Sequence, residues 1–131
     1  MSKVNRKGRS NTPGRFMVLP YNILESPAWR DLHPLAVCIF IELKKRFFGL
    51  NNGEISLSCR EVAERLRCSK NTASQMFYEL QAHGFIKIRV KGRFTYHNAT
   101  TWILTTEVYN GHSPTNEWKN WSPENPIEVP P

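Results

Sequence analysis

Six residues between 70 and 78 are of types whose side chains can read nucleobase edges. They are Lys70, Asn71, Thr72, Ser74, Gln75 and Tyr78. Asn and Gln can bond an adenine edge in two places, Lys reaches guanine acceptors, and the Thr methyl can touch thymine. Asn71 and Gln75 stand one helical turn apart, so both can address neighbouring bases. A second group holds cations and donors suited to phosphate: Ser69, Arg89, Lys91, Arg93, Tyr96 and His97, with Lys3, Arg6, Lys7, Arg9 and Arg15 at the start of the chain. Phosphate contacts position a protein on a duplex and base contacts specify the site. The expected division gives affinity to the second group and sequence to the first.

The elements that must hold these residues are legible around Ser58–Gly84. Ser58 followed by Glu61 has the form of a capping box, with Ser taking the amide three residues on and Glu reaching back. Val62, Ala63 and Leu66 then share a helical face. Ser69 is an N-cap candidate for a second helix. Ala73, Met76, Phe77 and Leu80 form its apolar stripe, and Gly84 can end it in the left-handed conformation. Only Arg67 and Cys68 separate the two helices, so the corner is sharp, and the small Ala73 lets them approach. An αα-hairpin inside an all-helical domain would look the same to this point. The residues after Gly84 argue for a sheet instead. Phe85–Lys91 alternates apolar with basic residues, Gly92 interrupts the run, and Ala99–Thr106 is a second β-rich stretch. Glu54–Leu57 is a short strand candidate able to pair with that hairpin.

The helix pair EVAERL-RC-SKNTASQMFYEL, the helix end HGFIKI and the basic hairpin after it resemble bacterial winged helix-turn-helix DNA-binding domains. The resemblance covers about Leu35 to Thr106. It implies an α+β fold with a three-helix core and a small antiparallel sheet as the wing. It also implies that the helix after Ser69 enters the major groove. The family often has Gly in the turn, where this chain has Arg67-Cys68. The helix pair and wing resemble the winged-helix units of plasmid replication initiators as well, which usually carry a second domain.

Charge is distributed to match. The chain has 131 residues, 18 of them Lys or Arg and 11 Asp or Glu. Residues 1–15 hold five basic residues and no acid, and residues 85–106 hold four and none. The helix pair, 54–84, is balanced, and residues 107–131 are acidic. Localised positive charge favours a polyanionic partner. Three domains of behaviour are expected: a flexible basic arm over 1–15, the folded domain over 16–106, and a proline-rich acidic tail over 107–131, mostly irregular.

Within the folded part, Phe16–Tyr21 is expected to dock on the core. Ser26 should cap a short helical turn opened by Pro27, and Trp29 should anchor packing. His33-Pro34 should start a helix running to about Phe48. Its first half, Leu35–Ile41, is apolar without a break and needs more cover than one helix pair and a hairpin provide. A homodimer is one expectation from that surplus. Trp118 and Trp121 are expected to share a helical face and lie over that same helix, with an intermolecular docking motif as the alternative.

Enzyme chemistry finds no support: no phosphate-cradling glycine loop, no nucleophile–base pair, no ligand cluster at metal spacing. Neither metal nor cofactor is expected. Cys38, Cys59 and Cys68 lack paired spacing, which fits a reducing cytoplasm, and a DNA partner would place the chain at the nucleoid. No run approaches the length of a membrane span. The reading is therefore a sequence-specific double-stranded-DNA-binding protein acting in transcription regulation. Replication initiation or recombination is the first alternative, and a winged helix used as a protein-interaction module is the second.

Overall fold

The computed structural model describes residues 14–92 and 99–131. Five helices and a three-stranded antiparallel sheet make an α+β fold: α1 (Tyr21–Leu24), α2 (Pro27–Arg30), α3 (Pro34–Lys45), β1 (Ile55–Ser56), α4 (Cys59–Leu66), α5 (Lys70–Ala82), β2 (Ile86–Val90) and β3 (Thr101–Leu104). A 3-10 helix, Glu117–Asn120, comes after β3.

The helix starts arise from side chains that satisfy orphan amides. Ser26 Oγ accepts from the Trp29 amide at 3.2 Å, with Pro27 in the first helical position. His33 Nδ1 accepts from the Leu35 amide at 3.0 Å, ahead of Pro34. Ser58 and Ser69 do the same for Glu61 and Thr72, each at 3.0 Å. The corner between α4 and α5 is made by Arg67, which takes the left-handed conformation at φ 56°, ψ 51°. Gly84 closes α5 at φ +87°.

The core lies between α3, the α4–α5 pair and one face of the sheet. Ile39, Phe40 and Leu43 of α3 meet Val62 of α4 and Ala73, Met76, Phe77 and Leu80 of α5. Strand order is β1-β3-β2, so β3 is central and Trp102 stands opposite both Ile55 and Ile88. Trp29 meets Phe40 and Phe85 edge to face, with centroids 5.4 and 5.5 Å away.

Several expectations are corrected. Two four-residue helices precede the three helices of the core: α2 stands where Ser26 and Pro27 put it, and no expectation covers α1. Helix α3 stops at Lys45 rather than near Phe48, where Asn51 Nδ2 takes the Arg46 carbonyl at 2.8 Å. Phe16–Tyr21 does not dock as a unit: Phe16, Val18 and Tyr21 are exposed, and Leu19 packs partly against the core. Residues 107–131 carry little regular structure and are mostly exposed, but they are tied to the domain at several points. Asn116 donates its amide to Thr105 O at 2.9 Å, and Trp118 is buried. Ile127 donates its amide to Ala82 O at 2.8 Å. The two tryptophans pack within the chain, against a different neighbour from the one expected. Trp118 stacks on Phe85 at 6.1 Å and Trp121 on His83 at 4.6 Å. They cover the corner after α5 rather than α3. The corner admits them because Gly84 has no side chain: a Cβ there would stand 2.6 Å from Trp118 N.

Candidate nucleic-acid interface

The apolar stripe of α5 turns Ala73, Met76, Phe77 and Leu80 inward, which fixes what faces water. Lys70, Asn71, Ser74, Gln75 and Tyr78 are exposed along one side of the helix. Among the described residues none of these five side chains has a hydrogen-bond partner, so their donors and acceptors are uncommitted. Thr72 differs. It is half-buried, and its Oγ1 accepts from Ser69 Oγ at 2.9 Å while Ser69 caps the Thr72 amide. Both hydroxyls are therefore tied into the helix start, which leaves the first amides of α5 as the free donors at that end.

The hairpin presents Lys91 beside α5. Lys91, Ser74 and Tyr78 line one groove of about 770 Å³ between the helix and the strands. Arg89 is exposed but oriented: its Nε donates to Tyr109 Oη at 3.2 Å. Its stem lies over Gly53, where an added Cβ would come within 3.0 Å of Arg89 Cδ. A β-bulge makes this possible. Ile88 pairs with Trp102 and Val90 with Thr101, so Arg89 is the extra residue on its strand. Lys87 is not available in the same way, because its Nζ bonds Glu117 Oε2 at 2.9 Å. The basic hairpin thus spends one of its charges on holding the 3-10 helix.

Arg15 lies elsewhere. It lines a separate cavity of about 460 Å³ with Phe16, Lys44, Lys45 and Phe48, so it is not brought together with the α5 groove. Lys3, Arg6, Lys7 and Arg9 of the arm, and Arg93, Tyr96 and His97 of the hairpin tip, lie outside the described residues.

Three sets of positioning residues escaped sequence reasoning. Asn52 is buried and brackets the end of β3. Its Oδ1 accepts from the Leu104 amide at 2.7 Å, and its Nδ2 donates to the carbonyls of Leu104 and Val108 at 2.9 and 3.1 Å. The basic cluster at the end of α3 is a clamp. Lys44 pairs with Glu107 at 2.9 Å, and Arg46 pairs with Glu61 at 2.6 Å while donating to Ser56 O at 3.1 Å. The Arg46 hydrogen bond holds the Glu61 carboxyl below the usual glutamate range against a smaller desolvation effect, with Arg65 adding to it. His83 sets Nε2 2.8 Å from Asp31 Oδ2 and Nδ1 2.8 Å from Glu79 O, under Trp121. The Asn-Asn-Gly turn signal marked the place of Asn52 but not its burial. No local pattern announces partners 15 or 52 residues away.

Among the described residues no group of three His, Cys, Asp or Glu side chains is placed to hold a metal ion. No described helix is long and apolar enough to cross a membrane. No family model, no curated protein and no solved structure matches the chain.

Proposed function

We propose that this chain is a sequence-specific double-stranded-DNA-binding protein of winged helix-turn-helix form, acting as a transcriptional regulator. The observation that carries the reading is the uncommitted polar stripe on α5. Lys70, Asn71, Ser74, Gln75 and Tyr78 share one solvent face of a helix whose other face is core. An α-helix fits the major groove, and side chains of these types read base edges there. The β1-β3-β2 sheet, with its hairpin after α5, supports the wing assignment. Lys91 beside the helix and Arg89 held by Tyr109 supply cations for the flanking backbone. Replication initiation or recombination would use the same surface, and the identity of the preferred site separates these roles from regulation.

A protein-interaction role has one observation in its favour. Phe16, Val18 and Phe48 are exposed around the cavity at the end of α3, and Phe16 is 80% exposed. Apolar side chains gathered at one place mark contact surfaces. A homodimer would use such a patch while leaving α5 free for DNA.

Selection from a pool of random duplexes, followed by fluorescence anisotropy on the winning site, tests the reading. A defined motif that Asn71→Ala or Gln75→Ala degrades supports the reader helix, and a palindromic motif adds the dimer. Binding without preference would reduce the role to an architectural one. No binding at low salt would sink the DNA reading and leave the interaction module.

A further inference from the structure

The C-terminal segment reaches the surface assigned to DNA. Ile127 hydrogen-bonds Ala82 O at 2.8 Å at the end of α5, and this is the last backbone hydrogen bond of the chain among the described residues. Beyond it, Val129, Pro130 and Pro131 line the same groove as Ser74, Tyr78 and Lys91. A duplex with α5 in its major groove and the hairpin alongside runs its sugar–phosphate backbone through that gap. The segment suits the place. Pro126, Pro130 and Pro131 keep it extended and cheap to order, and Val129 turns its side chain to the groove while Glu128 beside it is exposed.

We propose that residues 127–131 form an intramolecular strap that occupies the phosphate path between α5 and the hairpin, and that DNA binds only when it swings away. The proposal rests on the DNA-binding function proposed for α5. A single backbone hydrogen bond and a half-buried Val129 hold the strap, so release needs no unfolding of the core. The apparent affinity for DNA is then reduced by the fraction of molecules with the strap open. A strap docked in about nine molecules of ten weakens binding roughly tenfold.

The test compares three chains on the selected duplex by anisotropy: the full chain, a chain cut after Pro126, and full-length Val129→Gly. Circular dichroism checks that each is folded. Amide exchange at Ile127 is monitored in the full chain with and without duplex. The cut chain should bind about tenfold tighter. Val129→Gly should also bind tighter, because it removes the side chain that seats the strap and adds no charge. Ile127 should exchange faster on the duplex. If the cut tightens binding but Val129→Gly leaves it unchanged, the segment acts only through its charge and the strap is refuted. Equal affinities in all three chains refute it as well and leave the DNA reading standing. Absence of binding by all three folded chains at about 50 mM salt overturns the DNA reading, and the strap falls with it.

Discussion

Trp102 lies flat on Phe77, with ring centroids 4.9 Å apart and planes 2° from parallel. One ring belongs to the central strand and the other to the helix with the polar stripe, so this stack fixes the hairpin relative to α5. It carries a cost: Trp102 Nε1 is buried without a hydrogen-bond partner among the described residues. Trp102→Ala should lower stability by about 3–5 kcal/mol. Trp102→Phe should cost under about 1.5 kcal/mol, because it keeps the stack and removes the orphaned donor. Urea midpoints of the two variants check the difference.

Asn52 makes the second test of the sheet. Removing its amide leaves the N–H and the carbonyl of Leu104 without their Asn52 partners in a buried place. Asn52→Ala should destabilise by about 2–3 kcal/mol. Asn52→Asp keeps the Oδ1 acceptor but turns a carboxylate oxygen towards the carbonyls that Nδ2 now serves, so it should cost at least as much as Asn52→Ala, as thermal melts of the three proteins will tell.

Two left-handed residues should respond in opposite directions. Arg67 sits at φ 56° with a side chain, so Arg67→Gly should stabilise by about 0.5–1 kcal/mol. Gly84→Ala meets both an unfavourable φ of +87° and the Trp118 backbone at 2.6 Å. It should cost more than the roughly 1 kcal/mol of conformational strain alone, and quenching of Trp118 and Trp121 fluorescence by iodide should rise as the segment lifts off.

Acid sensitivity arises from Glu61. Arg46 keeps its carboxyl ionised in the folded state at pH values where the unfolded chain has already bound a proton. The unfolded value is the higher, so the contribution is complete above about pH 4.3 and is lost as pH falls below that, through the folded value. Glu61→Gln should therefore unfold at lower urea than the parent at pH 6, and the gap should close towards pH 3.

On the selected duplex, Lys91→Ala should weaken all sequences alike and reduce the salt slope by about one unit. Gln75→Ala should instead relax the preference at one base position at a cost of about 1–3 kcal/mol, with the salt slope unchanged. With about six phosphate contacts, the parent should lose roughly 10³-fold in affinity between 50 and 200 mM salt. Anisotropy titrations at four salt concentrations separate the two classes.

The features legible in the chain were local. Caps at Ser26, His33, Ser58 and Ser69, the stripe 73-76-77-80 and the stop at Gly84 each depend on residues within one or two turns, and each stands where the spacing puts it. The capping box at Ser58 formed in its Ser half. Glu61 turns chiefly to Arg46, because a cation from the end of α3 outcompetes a neutral amide for a carboxylate. Over 107–131 the pair of tryptophans announced packing within the chain but not its neighbour: Trp118 finds a place on Phe85 that only the missing side chain of Gly84 opens. Near the start of the chain composition misled. Apolar Phe16 and Val18 read as core and stand in water. Within the candidate interface the outward face of α5 was readable by subtraction from its stripe. The anchoring of Arg89 by Tyr109 was not, since it links residues 20 apart through a bulge.

That bulge makes the hairpin a problem of parity. Side chains on a strand alternate faces with a period of two, and the extra residue at Arg89 resets the count. Residues beyond it point the way their neighbours would otherwise have pointed, which is why apolar Val90 is exposed. Losing Arg89 alone would heal the bulge and leave Val90 opposite Thr101 on its present face, whereas losing a second residue would bring Lys91 opposite Thr101 and exchange the two faces from there on. The register beyond the bulge, rather than the number of basic residues in the strand, decides which side chains meet the groove.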